Sequence, residues 1–202
     1  MSDIKVTTIV NDILQSCTYI LEKGDFPGVY LIDCGESEPI LGHVSQNGKI
    51  VEGIILTHAH YDHIYGINDI LDKFPNAKVI AGEKTLAGLG DVNLNMSYLY
   101  TDDDYIVSLS PDNIIVADRD LGLNILGETL ECLPTPGHDV DCMTYILGDK
   151  IFTGDSYNPL SPVFTKWKNS NEEQAHFNEQ MIRQIINDRK LTVFPGHKLD
   201  EQ

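Results

Sequence analysis

Seven side chains in four short motifs have the types and spacing of metal ligands: His58, His60, Asp62, His63, His138, Asp155 and His197. The densest motif is Thr57-His58-Ala59-His60-Tyr61-Asp62-His63. Three imidazoles within six residues repel one another when protonated and lose hydration when buried. A metal ion removes both penalties, and imidazole with carboxylate suits zinc and similar borderline ions. On an extended segment, residues two apart point the same way. His58 and His60 can therefore reach one ion. Asp62 continues that alternation, and His63 lies one step on, where a helix is expected to begin. The four residues can thus serve two adjacent ions, which in two-metal sites lie only about 3.5–4 Å apart. The helix N-terminus is expected to keep His63 neutral.

These motifs need strands to position them. Ile4–Val10, Cys17–Leu21, Gly28–Asp33 and Val51–Leu56 read as strands, with Asn11-Asp12 as the first turn. Ser37-Glu38-Pro39 starts a helix that ends near Asn47-Gly48. Ile64, Ile67, Ile70, Leu71 and Phe74 recur at helical spacing, so the first motif sits between a strand and a helix. Ala77–Ala81 is a further strand and Glu83–Leu89 a short helix. Gly90 to Asp104 shows no period and reads as a long loop, of the kind that often carries function. Its Asp102-Asp103-Asp104 run is expected to be a solvated turn. Strands are expected at Asn113–Ala117, Leu123–Leu126, Thr129–Pro134, Met143–Leu147, Lys150–Thr153 and Leu191–Phe194, and a helix over Glu172–Asp188. Four polar clusters thus follow apolar strands, where sites of layered α/β proteins gather.

Bulk properties narrow the partners. With 14 Lys and Arg against 31 Asp and Glu, the 202-residue chain carries a formal charge of −17. That charge repels phosphate backbones and anionic bilayers, so no nucleic acid and no membrane partner is expected. The length fits one domain over 1–202, as a monomer or homodimer. The opening Met1-Ser2-Asp3-Ile4-Lys5 lacks the apolar run of a signal peptide. Cys17, Cys34, Cys132 and Cys142 lie among apolar neighbours without zinc-type pairing. They read as reduced core residues of a cytoplasmic protein.

The motifs Thr-His-Ala-His-Tyr-Asp-His at 57–63, Thr-Pro-Gly-His at 135–138, Thr-Gly-Asp at 153–155 and Phe-Pro-Gly-His at 194–197 resemble, in order, those of the metallo-β-lactamase superfamily. The resemblance implies an α/β fold, a four-layer αββα sandwich with metals at one edge. It implies His58, His60 and His138 on a first metal, Asp62, His63 and His197 on a second, and Asp155 bridging them. Two Zn2+ are expected, with Fe or Mn possible on the same donors. Within the superfamily the chain looks closest to the compact glyoxalase II-like group. The function this implies is a hydrolase whose metal-bound hydroxide cleaves a thioester, ester or lactone of a small-molecule substrate. The alternatives are a mononuclear iron sulfur (persulfide) dioxygenase and a β-lactam hydrolase. The chain runs only five residues past His197, so the glutathione-binding C-terminal domain of full-length glyoxalase II is expected to be absent. The stretch Ser156-Tyr157-Asn158-Pro159-Leu160 also lacks the group's Gly-Arg-Asp.

Asp62 and Asp155 are the expected catalytic carboxylates. Tyr157, close behind Asp155, is either a donor to a substrate oxygen or an exposed aromatic. Lys166, Trp167 and Lys168 are expected to form a solvated patch rather than line the pocket, and Cys142 to be structural. His43 and His176 fall outside the motifs.

Overall fold

The strands form two sheets whose facing sides make the central core. In this computed structural model, residues 3–24 and 26–198 are described. The ends of the expected 1–202 domain, including Met1 and Ser2, lie outside that range. The first sheet has six strands in the order β1 (Lys5–Val10), β2 (Cys17–Glu22), β3 (Gly28–Ile32), β4 (Ile50–Ile55), β5 (Lys78–Ala81) and β6 (Ile114–Val116). The second has five, in spatial order β11 (Thr192–Pro195), β10 (Lys150–Gly154), β9 (Met143–Leu147), β8 (Glu128–Pro134) and β7 (Leu123–Ile125). β3 to β6 are parallel, and β11 runs parallel to β10.

The apolar runs of β3 to β5 are continuous because both of their faces are covered. Val29, Leu31, Ile54 and Val79 pack outward against Ile40 and Val44 of helix α1 (Ser37–Gln46) and Ile67 and Ile70 of α2 (Ile67–Lys73). Their alternates Ile32, Ile55 and Ile80 pack inward against Leu130, Tyr145 and Phe152 of the second sheet. The outer face of that sheet presents Ile146 and Ile151 to Ile182 of helix α4 (Glu172–Arg189). Period-two alternation therefore builds an αββα sandwich from three apolar layers. A short helix α3 (Glu83–Gly88) completes the first side. The sheets are also pinned by polar bonds near the site. Tyr145 donates to the Leu56 carbonyl at 2.8 Å, and the Met143 amide donates to Thr57 O at 2.8 Å.

Three expectations shift. The first turn runs beyond Asn11-Asp12 to Ser16, with Leu14 and Gln15 at positive φ and no glycine to announce it. The helix after the first motif starts at Ile67, behind a single 3-10 turn at Tyr61–His63. Cys34 holds that segment off the helix: its amide donates to His63 O, and its carbonyl accepts from Gly66 N. The unperiodic segment after Gly90 contains one 3-10 turn, Ser97–Leu99, whose start is held by Asn95 Oδ1 on the Ser97 amide. Asp102, Asp103 and Asp104 are exposed, as expected. All four cysteines are free and buried. Among the described residues no helix is long and apolar enough to cross a membrane.

Candidate metal centre

The four motifs converge where strands of both sheets end. His58, His60, Asp62 and His63 follow β4, while His138, Asp155 and His197 follow β8, β10 and β11. Three groups have ligand atoms within 4.8 Å of one another: His58, His60 and His138; Asp62, His63 and His197; and His58, His63 and Asp155 between them. Asp155 lies at the centre. Its Oδ2 is 3.3 Å from His138 Nε2 and 3.2 Å from His197 Nε2, and its Oδ1 is 3.5 Å from His63 Nε2.

The donor set fits metal ions on its own chemistry. His58 Nε2, Asp62 Oδ2 and Asp155 Oδ1 are buried without a hydrogen-bond partner among the described residues. Imidazole nitrogens lie 3.3 and 3.4 Å from Asp62 Oδ2, but none is aligned to donate to it. Buried polar atoms left unpaired cost about 1–3 kcal/mol each. His138 Nε2 also faces His60 Nδ1 at 3.1 Å, and His63 Nε2 faces His197 Nε2 at 3.2 Å. Such nitrogen pairs can share one proton or turn both lone pairs on a cation.

The opposite ring nitrogens are held from behind. His63 Nδ1 lies 2.9 Å from Asp33 Oδ2, His138 Nδ1 2.8 Å from Phe164 O, and His197 Nδ1 3.0 Å from Leu14 O. His58 Nδ1 is 3.1 Å from Thr57 Oγ1. These contacts orient each ring and select the tautomer that leaves the inward nitrogen free.

The Metallo-beta-lactamase superfamily matches residues 12–197. The chain belongs to this superfamily. It is 26% identical over 138 residues to a hydroxyacylglutathione hydrolase of Shewanella denitrificans, covering 68% of this chain and 46% of that one. It is 31% identical over 157 residues to a probable metallo-hydrolase of Streptococcus pyogenes, covering 75% and 66%. The chain thus spans about half to two thirds of the length of these curated relatives. In structure it is similar to the BLEG-1 B3 metallo-beta-lactamase, with TM-score 0.81 and 23% identity over 96% of this chain and 92% of that one. It is also similar to TTHA1623, solved in a di-iron-bound form, with TM-score 0.78 and 21% identity over 96% and 93%. A third similar structure is ETHE1 from Myxococcus xanthus, at TM-score 0.71 and 22% identity over 98% and 77%. These likenesses establish the fold.

Electrostatics inside this superfamily member run in two directions. Burial, reinforced by neighbouring imidazoles, pushes His58 far down and His60 down to about 3. Burial also opposes a proton on His63, but Asp62, Asp155 and Asp33 outweigh it and raise the group to about 10. The expected helix N-terminus at His63 is corrected by the backbone, since α2 begins only at Ile67. The 3-10 turn of His63 ends before that, and three carboxylates face the ring. Burial resists charge on Asp155 as well, yet His197, His138 and His63 hold it well below the usual carboxylate range. Asp155 thus stands as a carboxylate ringed by imidazoles.

Tyr157 is not at this centre, in either role expected for it. The turn after Gly154, at φ +48°, directs Asp155 into the site and sends Tyr157 back. Its ring is buried with Ile146, Ile151 and Ile182, under Arg183 at 5.3 Å. Trp167 corrects the expectation of a solvated patch. It lines the cavity and meets His60 edge-on at 6.2 Å, while Lys166 and Lys168 point to solvent. His43 pairs with Glu22 and His176 with Gln180, both away from the site. Cys142 is buried and accepts from the Asp139 amide, a structural role.

Sequence reasoning missed Asp33. It follows β3 at φ +56°, fully buried, and accepts from the Thr57 amide at 2.7 Å and Thr57 Oγ1 at 2.8 Å. The available signal was an acidic residue closing an apolar strand. Gly196 has a similarly exact fit, because a Cβ there would collide with Asp155 Oδ1. Gly196→Ala is expected to displace that carboxylate and lower activity by about 100-fold, the scale of a 1 Å misplacement. Unchanged metal content and rate in this variant would contradict the placement.

Proposed function

We propose that this chain is a dinuclear zinc hydrolase of thioesters, esters or lactones. His58, His60 and His138 would hold one ion, Asp62, His63 and His197 the other, and Asp155 both. The observation that carries this reading is the set of buried, unpartnered atoms facing one another across two complete triads. The hydrolases among the curated relatives support the reaction class. When bound, such ions acidify water and polarise a carbonyl oxygen.

The chain's own residues do the rest. Asp33, Thr57 and the Phe164 and Leu14 carbonyls fix the ring orientations. With ions bound, Asp155 would offset their charge from the centre and Asp62 from the side. Trp167, Phe164 and Tyr100 line the cleft and exclude water from a bound acyl group. The cleft, about 290 Å³, suits a small molecule rather than a polymer. The free, buried cysteines are consistent with a reducing compartment such as the cytoplasm.

The completeness of the second triad favours this reading over a one-iron oxygenase. Elemental analysis with a thioester, lactone and β-lactam panel tests it. Two ions per chain are expected, with hydrolysis abolished by chelator and restored by zinc. One iron per chain, with oxygen consumption on a persulfide, would overturn the hydrolytic reading. Two irons, as in the form in which TTHA1623 was solved, would correct only the metal.

A further inference from the structure

Beyond the metal donors, the cavity wall is mostly apolar and aromatic, with Tyr61, Met96, Tyr100, Val163, Phe164 and Trp167 as its larger side chains. Not one lysine or arginine lines it among the described residues. Lys166 and Lys168 flank Trp167 in sequence but are exposed and absent from the lining. Two further polar side chains line the wall: Asn158, whose Nδ2 donates to His197 O and whose Oδ1 accepts from the Leu160 amide, and Ser161, which brings only a neutral hydroxyl.

Two wall residues also stand in water: Tyr100 is 38% and Phe164 50% exposed. Leu14, at the same mouth, is 58% exposed. The apolar surface therefore continues from the metal centre out to the rim. A ligand covering it gains hydrophobic free energy along its whole length. Away from the metal donors, a ligand carrying carboxylates along this wall would lose hydration and meet no lysine or arginine among the described lining residues, in a protein of formal charge −17.

We infer that this site takes uncharged substrates with an extended apolar or aromatic chain and discriminates against anionic glutathione conjugates. The inference rests on the hydrolytic reading for its chemistry, since the chain would flank the scissile carbonyl. It goes beyond that reading in setting the substrate class, and it departs from the hydroxyacylglutathione hydrolases that the chain matches in sequence.

Trp167 is the chain's only tryptophan, so its fluorescence reports directly on the cavity. Two non-hydrolysable thioethers with the same apolar arm separate the possibilities. S-hexyl-N-acetylcysteamine is neutral, and S-hexylglutathione carries two carboxylates. Titrated into the zinc-loaded protein, the neutral probe is expected to bind at least about tenfold more tightly, the ratio that 1.4 kcal/mol of discrimination gives. Tyr100→Ser, which keeps the reporter, is expected to weaken the neutral probe about fivefold or more, in line with loss of buried aromatic area. Equal or tighter binding of S-hexylglutathione overturns the inference, as does no response to the neutral probe. Hydrolysis of the two matching hexanoyl thioesters is measured in parallel. Selective binding without turnover of either thioester would defeat the hydrolase reading and leave the pocket's preference standing. Turnover of both at equal efficiency would do the reverse.

Discussion

Asp155→Ala is expected to leave the purified protein without bound metal and to lower kcat/KM by about 10³-fold or more, beyond the loss typical of removing one electrostatic stabiliser. The reason lies in its position. Asp155 is the one carboxylate within 3.5 Å of inward nitrogens from His63, His138 and His197, which otherwise belong to separate triads. Without it, two closely spaced dications would face each other with only Asp62 to offset their charge. Asp155→Asn serves as the control for shape, since it retains the volume and removes the charge. Both variants should keep a native circular dichroism spectrum, because the side chain supports no strand contact. Metal content by elemental analysis and hydrolysis on the active thioester or lactone decide the matter. Full metal loading and full activity in Asp155→Ala would sink the assignment.

The second large effect is expected at Asp33, which no motif announces. Asp33→Asn preserves size and tolerates the left-handed backbone at φ +56°. It nevertheless replaces one acceptor oxygen by a donor. If the amide nitrogen faces Thr57, it meets the Thr57 N–H. If it faces His63, it meets Nδ1, which must then accept, and the ring proton moves to Nε2, the inward atom. Either arrangement is unfavourable, and the second blocks the nitrogen assigned to the metal. Affinity for the ion on the Asp62, His63 and His197 side should fall about 10–100-fold, the usual range for a lost orienting partner. Stability should fall by about 1–3 kcal/mol from the mismatched buried group. Zinc titration against a competing chelator and urea unfolding of the metal-free protein measure the two effects. If neither changes, the Asp33 contacts do not orient the centre.

Asp33 also marks where the sequence stops being legible. The four motifs could be read because their residue types repel one another unless something binds them. The strands before them could be read because a doubly covered sheet demands continuous apolar runs. Asp33 carries no such tension in the sequence. Its role exists only because β3 and β4 run in parallel register, which sets residue 33 beside residue 57. Tyr157 shows the opposite error. Two residues after Asp155 it looked like a site residue, yet the turn that begins at Gly154, with positive φ, aims Asp155 into the site and carries Tyr157 into the core beside α4. Trp167 sits in a stretch without period, between charged neighbours, and only its packing on His60 shows which way it faces. Met96 and Tyr100 were reachable in part, since the long segment after Gly90 could be recognised as functional, though not which of its side chains would enter the cleft.

The division of the ligands between the sheets has a thermodynamic consequence. His58, His60, Asp62 and His63 leave the first sheet, and His138, Asp155 and His197 leave the second. With the ligand set proposed above, each ion is a rivet through both halves of the sandwich, since neither half holds a complete donor set. An ion that binds only the closed form stabilises it by its own binding free energy, through linkage. Chelation is then expected to lower the stability of the closed sandwich, and most of all at the edge where the ligands of the two sheets meet.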